Sequence, residues 1–349
     1  MPSLVDYDLP QLERELADAN HKPVHAARML RRFYASNGRA PIDSMEISTA
    51  LRRYVEERLA ARRSNIIRRV CAVDGTVKLL VGFEDGATVE SVMMPGFRPE
   101  IAAGCVSSQI GCAMGCDFCA STRRGLERNL DSGEIVEQFL HLKQEATAIG
   151  RRLQTLVFMG MGEPLLNFDA VVAAIRRIAD PALGALGWRQ VTVSTVGIVP
   201  AIDRLAAEDL NIHLAVSLHA PDDATRSRLV PANRRYSVAD VMAAARRFEA
   251  ATGRTPNIEY CIINGVNDSD EQAALLVELM RGFRAHLNII PCNPIGLGIS
   301  GIAYQAPPRQ RVIDFLELLR RGNVVAHLRE TRGEDIDAAC GQLKSAVSC

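Results

Sequence analysis

The 349-residue chain has no apolar run that approaches the roughly 18 residues needed to span a bilayer, which excludes a membrane-crossing helix. Its start, Met1 to Pro10, carries two aspartates and no basic segment, so it does not read as a secretory leader. There is no internal repeat and no low-complexity tract. A composition of 48% apolar and 23% charged residues excludes a mainly disordered, collagenous or disulfide-scaffold protein. The expectation is a cytoplasmic globular protein of about two domains. Nine cysteines, an odd number in a chain of this length, point to metal binding or thiol chemistry rather than a secreted framework.

The net charge is zero, but it is unevenly spread. Residues 22–69 hold twelve Lys/Arg against four Asp/Glu, which leaves the remainder at minus eight. Such a block fits a polyanionic partner, and it equally fits a pair of solvated helix faces. Residues 1–63 read as helical: Leu9, Leu12 and Leu16 recur at three and four, and Ile47, Leu51, Val55 and Leu59 at four. Ile66 to Val73, Val77 to Phe83 and Thr88 to Met94 are β-rich runs separated by Asp74-Gly75 and Asp85-Gly86, the pattern of a three-stranded meander.

From about residue 98 the pattern alternates. Expected strands are Leu156 to Met159, Val191 to Ser194, Ile212 to Leu218, Ile258 to Ile263, Leu287 to Ile290 and Val324 to Leu328. Helical stretches at 169–179, 238–250, 271–282 and 309–321 fall between them, which predicts βαβ units and a parallel sheet. Polar and glycine-rich residues follow the strand ends, where βα proteins gather their functional groups.

Cys112-Ala-Met-Gly-Cys116-Asp-Phe-Cys119 packs three thiols into eight residues, with Gly111 and Gly115 to let the backbone curl around one centre. A structural zinc usually takes four protein ligands, so three at this spacing fit a [4Fe–4S] cluster with one open iron better. The alternative is a zinc knuckle completed by Cys105 or Cys340, in a non-catalytic RNA-binding protein.

The C-x3-C-x2-C run resembles the signature of the radical SAM superfamily. Cys105-Val-Ser-Ser-Gln-Ile-Gly-Cys112, Met159-Gly-Met-Gly-Glu163-Pro164, Ser217-Leu-His-Ala-Pro221 and Thr331-Arg-Gly-Glu-Asp-Ile-Asp-Ala-Ala-Cys340-Gly-Gln-Leu343 narrow the resemblance to the RlmN/Cfr family of RNA adenine methyltransferases, over nearly the whole chain. The resemblance implies an incomplete (β/α)6 radical SAM barrel over 96–349, carrying a C-terminal methyl-carrier loop. An accessory domain over 1–95, helices followed by the small meander, precedes it. It implies that Cys112, Cys116 and Cys119 ligate the cluster, and that Gly162, Glu163, Ser194, Ser217, Leu218, His219 and Asn293 bind S-adenosylmethionine. Cys340 is the implied site of an S-methylcysteine intermediate, Cys105 its thiol partner, 235 residues earlier, and Glu90 the proton acceptor.

The implied activity is methylation of adenine carbon 2 in 23S rRNA and tRNA by a monomer, consuming two S-adenosylmethionines and an electron from a flavodoxin-type donor. Methylation of carbon 8 is the family's other product. A methylthiotransferase would call for a second cysteine triad, and the sequence has none at close spacing. Arg31, Arg32, Arg52, Arg53, Arg62, Arg63, Arg68 and Arg69 are the expected phosphate contacts. Cys71 and Cys261, in apolar strand runs, are expected to pack as small hydrophobes, Cys292 to need no special chemistry, and Cys349 to be a disordered end.

Overall fold

The computed structural model describes residues 2–38, 45–59 and 62–344; Cys349 lies outside them. Helices α1 (Leu9–Asp18), α2 (His25–Ala35) and α3 (Thr49–Arg58) open the chain. Asp8 caps α1 by accepting the Gln11 amide at 2.8 Å, while the Gln11 side chain returns a bond to the Asp8 amide. Leu12 and Leu16 of α1, and Ala26, Met29, Leu30, Phe33 and Tyr34 of α2, are buried at helical spacing.

The meander forms as expected, from β1 (Ser64–Cys71), β2 (Val77–Phe83) and β3 (Thr88–Pro95). Its turns place Gly75 and Gly86 at φ 81° and 83°, a conformation that costs glycine little. It does not stand apart. β4 (Ile101–Cys105) pairs antiparallel with β3 and parallel with β7 (Arg152–Phe158), so meander and barrel share one ten-stranded sheet. The division expected between residues 95 and 96 therefore falls between hydrogen-bonded strands, with Pro95 opposite Ala102.

Between β4 and β7 the chain makes a short hairpin, β5 (Gln109–Gly111) and β6 (Leu126–Asn129), and then α4 (Ser132–Ala148). The remaining elements are α5 (Phe168–Ala179), β8 (Val191–Thr195), α6 (Val199–Ala207), β9 (His213–Ser217), α7 (Asp223–Leu229), α8 (Val238–Thr252), β10 (Asn257–Ile262), α9 (Asp270–Met280), β11 (His286–Pro291), α10 (Arg309–Arg321) and β12 (Ala326–Leu328). All six expected parallel strands form, and β4 adds a seventh to that part of the sheet. Strands β1 and β12 are the two ends of the sheet order, so the barrel is open.

Half of the expected phosphate contacts are committed instead to holding these parts together. Arg63 Nη2 pairs with Asp6 at 2.7 Å and with Asp131, the α4 cap, at 3.0 Å, and its amide donates to Glu137 at 2.7 Å. His141 of α4 sits between Arg62 Nη1 at 2.8 Å and Ser64 Oγ at 3.0 Å. Arg69 pairs with Glu145 at 2.8 Å, and Arg52 Nη2 donates to the Met45 carbonyl at 3.1 Å. These four of the eight expected phosphate contacts thus serve the fold, because acidic and carbonyl partners from α4 and the amino terminus reach them. Arg31, Arg53 and Arg68 are exposed, Arg53 in an i,i+4 pair with Glu57. Among the described residues no helix is long and apolar enough to cross a membrane.

Two outcomes follow from this junction. Arg63→Met takes the guanidinium from half-buried Asp6 and from Asp131 while leaving the backbone bond to Glu137 in place, and should lower the unfolding free energy in urea by about 2 kcal/mol. An unchanged midpoint and slope would remove Arg63 from the junction. Burial, aided by the Arg62 cation, pushes His141 down from 6.5 to about 3. The unfolded imidazole then binds more protons than the folded one between those values, so its contribution to stability is present above pH 6.5 and declines as pH falls toward 3. The stability advantage of wild type over His141→Gln should shrink between pH 7 and pH 4.5, by up to about 1.4 kcal/mol per pH unit. A constant difference would contradict a neutral buried His141.

Candidate active site

A cleft enclosing about 980 Å³, part of it open to solvent, lies over the C-terminal ends of the parallel strands. Cys112, Cys116 and Cys119 line it, on the loop that joins β5 to β6. The loop depends on Gly111, whose φ is 74° and where a Cβ would come within 2.0 Å of the Gly125 carbonyl. The Cys112 amide donates to Gly125 O at 2.8 Å, Cys119 to Cys116 O at 3.1 Å, and Asp117 to Leu229 O at 3.0 Å. The Asp117 carboxylate, turned away from the cleft, accepts from the Ser300 amide at 2.7 Å and Tyr304 Oη at 2.6 Å, and also from the Ser300 hydroxyl.

Burial raises all three thiols, Cys112 to about 12 and Cys116 well above its ordinary value. Such thiols become ligands only when a cation displaces their protons. Among the described residues no three His, Cys, Asp or Glu side chains close on a single-ion site. The three sulfurs line one shared open space, which leaves room for a multi-iron cluster held by three protein ligands.

Glu163, 2% exposed and five residues beyond the end of β7, lines the same cleft as the thiols. Gly160 and Gly162 bring the chain hard against the segment after β4: a Cβ would lie 2.7 Å from Val106 O at the first and 2.5 Å from Gln109 Cβ at the second. The Gln109 side chain accepts the Glu163 amide at 2.8 Å. The carboxylate itself accepts the amides of Leu165 at 3.0 Å and Val196 at 2.8 Å, but burial outweighs these bonds and pushes it up to about 7. An ammonium brought into the cleft would restore its charge.

Ser194 and Ser217, neighbours on β8 and β9, line the same wall with their hydroxyls 3.5 Å apart. His219 follows β9 in a left-handed conformation, φ 61°, unusual for a side chain of that size. Its Nδ1 accepts the Cys261 amide at 2.9 Å, which puts the ring proton on Nε2, and burial with the nearby Arg226 cation pushes it down to about 3. Asn293 also lines the cleft, but its amide is engaged: Nδ2 donates to the Cys340 carbonyl at 3.1 Å. It fastens the carrier loop. Leu218 is fully buried and is not among the residues that line the cleft. Its amide donates to Glu259 O at 3.0 Å and its carbonyl accepts Arg226 Nε at 2.9 Å, so its part is to hold the strand end.

Cys340 reaches the cleft from the opposite end of the sequence. Its loop is fastened to the cysteine loop through Ala120 N to Gly341 O at 2.7 Å and Ser121 Oγ to Leu343 O at 2.6 Å, and to Pro294 O through Gln342 at 3.1 Å. The thiol is exposed to the cleft interior yet crowded by protein, and burial together with the Glu259 carboxylate raises it against the pull of Arg329. Cys105, at the end of β4, is not on the cleft wall, but it lies near enough to Cys340 that burial plus that neighbour push its thiol up to about 12. Glu90 is likewise off the cleft wall, on β3, with its carboxylate 3.2 Å from Lys78 Nζ.

Several groups at the site carry no legible pattern. Arg226, fully buried on α7, spreads its guanidinium over five neutral acceptors, among them Ser217 O at 3.1 Å and Asn233 Oδ1 at 2.9 Å, and its charge bears on Cys116. Glu259 is the one charged residue of β10, the one hint available. Cys261 is buried as expected, but it lines the cleft and shares a hydrogen bond with Cys292, which raises Cys261 and lowers Cys292. Cys71 is a correction: on edge strand β1 it is exposed and accepts from Arg69 Nη1 at 2.8 Å.

The radical SAM superfamily pattern matches residues 106–277, the span from the cysteine loop through β10 and most of α9. A probable dual-specificity RNA methyltransferase RlmN of Opitutus terrae is 52% identical over 99% of this chain and 97% of its own. The dual-specificity RNA methyltransferase RlmN of Syntrophobacter fumaroxidans is 38% identical over 97% and 96%. The crystal structure of a radical SAM methyltransferase from Sphaerobacter thermophilus superimposes with a TM-score of 0.94 at 40% identity, covering 99% of this chain and all of that one. The likeness extends through both the thiol loop and the carrier loop, and the chain belongs to the RlmN family of radical SAM RNA methyltransferases, S-adenosylmethionine-dependent enzymes with an iron–sulfur cluster.

Proposed function

We propose that this enzyme methylates carbon 2 of an adenine in the peptidyl-transferase region of 23S rRNA, and an adenine beside the tRNA anticodon, through a methyl carried on Cys340. The observation that carries the reading is that Cys340 faces the cleft lined by Cys112, Cys116 and Cys119, with a second thiol, Cys105, within electrostatic reach. Relatives named as dual-specificity RNA methyltransferases support two RNA substrates.

The chemistry calls for such a carrier. Carbon 2 of adenine, flanked by two ring nitrogens, is electron-poor and does not displace a methyl from a sulfonium, whereas a cysteine thiolate does. Cys112, Cys116 and Cys119 hold the cluster, and Glu163, Ser194, Ser217 and His219 hold S-adenosylmethionine beside it, one molecule for the methyl and one for the radical. When bound, the reduced cluster and S-adenosylmethionine supply the hydrogen-abstracting radical. Cys340 loses its proton, takes the methyl, and presents the activated carbon to the ring. Glu90 then takes the ring proton from the thioether-linked RNA. Cys105 attacks the Cys340 sulfur as a thiolate, so that a disulfide forms as the bond from sulfur to the product carbon breaks, and that carbon takes up a proton from solvent to complete the methyl group. The electron comes from a flavodoxin-type donor, and the enzyme works as a cytoplasmic monomer.

An anaerobic turnover with methyl-deuterated S-adenosylmethionine tests the route. Wild type should give methyl-Cys340 and a 2-methyladenine that has lost one methyl deuterium, Cys105→Ala should trap RNA on the protein, and Cys340→Ala should yield no methylated base. Methylated RNA from Cys340→Ala would remove the carrier role, and 8-methyladenine would replace the assigned product. Recognition can be separated from chemistry. The exposed Arg31 and Arg68 have an open path to phosphates, so the double reversal to glutamate should weaken RNA binding at low salt by about tenfold and flatten its salt dependence. An unchanged salt slope would move the RNA-binding face elsewhere.

A further inference from the structure

The Glu90 carboxylate has both oxygens engaged. Oε1 lies 3.2 Å from Lys78 Nζ, and Oε2 accepts the backbone amide of Lys344 at 2.9 Å. The two side chains are 11% and 8% exposed, so this ion pair is largely withdrawn from water, and either partner left alone would be an uncompensated buried charge. The pairing follows from register. Lys78 of β2 stands opposite Val92 of β3, and Leu80 opposite Glu90, which makes Lys78 and Glu90 diagonal neighbours on one face of the sheet. Val92 is in turn opposite Cys105 of β4, so that face also carries the second thiol.

Lys78 has another partner. Nζ donates to the carbonyl of Asp337 at 2.9 Å, three residues before Cys340. The Asp337 carboxylate meets Lys344 Nζ at 3.1 Å, and the meander tip holds the same segment through Asp74 to the Gly333 amide at 3.1 Å and the Val73 amide to Asp335 at 3.0 Å. The charged and titratable groups around Glu90 are therefore Lys78 from β2, Asp337 and Lys344 from the carrier loop, and Cys105 from β4. Among the described residues, Lys78 is the side chain that binds both the Glu90 carboxylate and that loop.

We propose that Lys78 is a positioning residue for the ring-proton step: it pairs with the Glu90 carboxylate and sets it in register with the loop that carries Cys340. The proposal rests on Glu90 being the proton acceptor. In that step the ring C–H proton passes to the carboxylate and its bonding electrons stay on the ring, while the one electron left unpaired by the addition would return to the iron–sulfur cluster that Cys112, Cys116 and Cys119 would hold. With Oε1 kept by Lys78, the oxygen that receives the proton is Oε2, once the Lys344 amide has moved off it.

The test follows the covalent RNA adduct on Cys340 in the cluster-loaded enzyme, on denaturing gels, for Glu90→Gln, Lys78→Met and Lys78→Arg. Methylation of Cys340 without RNA and the visible absorption of the cluster report separately on folding and on the earlier half-reaction. Glu90→Gln should accumulate adduct. Lys78→Met should accumulate it too, with decay at least tenfold slower than wild type at neutral pH and recovering toward alkaline pH, because a carboxylate without its counter-charge holds its proton more tightly. Lys78→Arg should decay within about threefold of wild type, since it keeps the charge. If Glu90→Gln resolves its adduct like wild type, the acceptor reading fails. If Glu90→Gln traps adduct while Lys78→Met does not, only the positioning role fails. Loss of Cys340 methylation in Lys78→Met with no adduct formed would overturn the proposal, leaving Lys78 a fastener of the loop.

Discussion

The site depends on anionic donors buried together with too little positive charge to ionise them. Cys112, Cys116, Cys119 and Glu163 surround one cleft, and burial drives each of them toward its neutral form. Their charged states, the ones that bind iron and an ammonium, exist only with what binds there. Beside Arg123, whose charge bears on Cys119, Arg226 is a cation that the fold brings to this cluster. Its guanidinium is satisfied by carbonyls and an amide rather than carboxylates, which leaves its charge free to act on Cys116. The glycines follow from the same demand: bringing four donors onto one space requires backbone contacts at Gly111, Gly160 and Gly162 that no side chain would allow.

The one-sheet architecture has a functional side. An appended meander could have hung from a linker. Here β3 is hydrogen-bonded to β4, so Glu90, Val92 and Cys105 keep a fixed register on one face. The carrier loop leaves the far end of the sheet, after β12, and crosses to this face, where Lys78 and Asp74 receive it. The accessory segment is thus fastened directly to the loop that carries Cys340.

What could be read in the sequence was what is local. Six strands, the meander turns and α10 at 309–321 followed from periodicity and Asp-Gly pairs, and the cysteine spacing marked the cluster loop. β4 and α4 did not. β4 holds Ala102, Ala103 and Gly104, too small to read as an apolar run, and α4 buries Glu134, Glu137, Gln138 and His141 among its hydrophobes, which erases the amphipathic stripe. The fate of Arg62, Arg63 and Arg69 was illegible for another reason. Their partners lie on α4, 68 to 79 residues away, and at Asp6, 57 residues away, so a charge run along the chain could not reveal which charges are already paired. Leu218 and Asn293 fell in the right loops, yet one turns inward and the other binds the Cys340 carbonyl, a distinction that backbone direction decides and residue type does not.

The two thiols assigned to methyl transfer are held very differently, and the difference sets which of them can travel. Cys105 ends a strand paired on both sides, opposite Val92 and Val157, and cannot move without breaking the sheet. Cys340 is held through Asn293, Ala120, Ser121, Gln342 and the Lys344 amide, each a hydrogen bond with a net worth on the order of 1 kcal/mol. Substrate contacts of a few kcal/mol can offset several such bonds, whereas parting β4 from both neighbours would cost most of the stability of a domain. Any change in the distance between the sulfurs is therefore made by the carrier loop, with Cys105 and Glu90 as the fixed reference against which Cys340 is set.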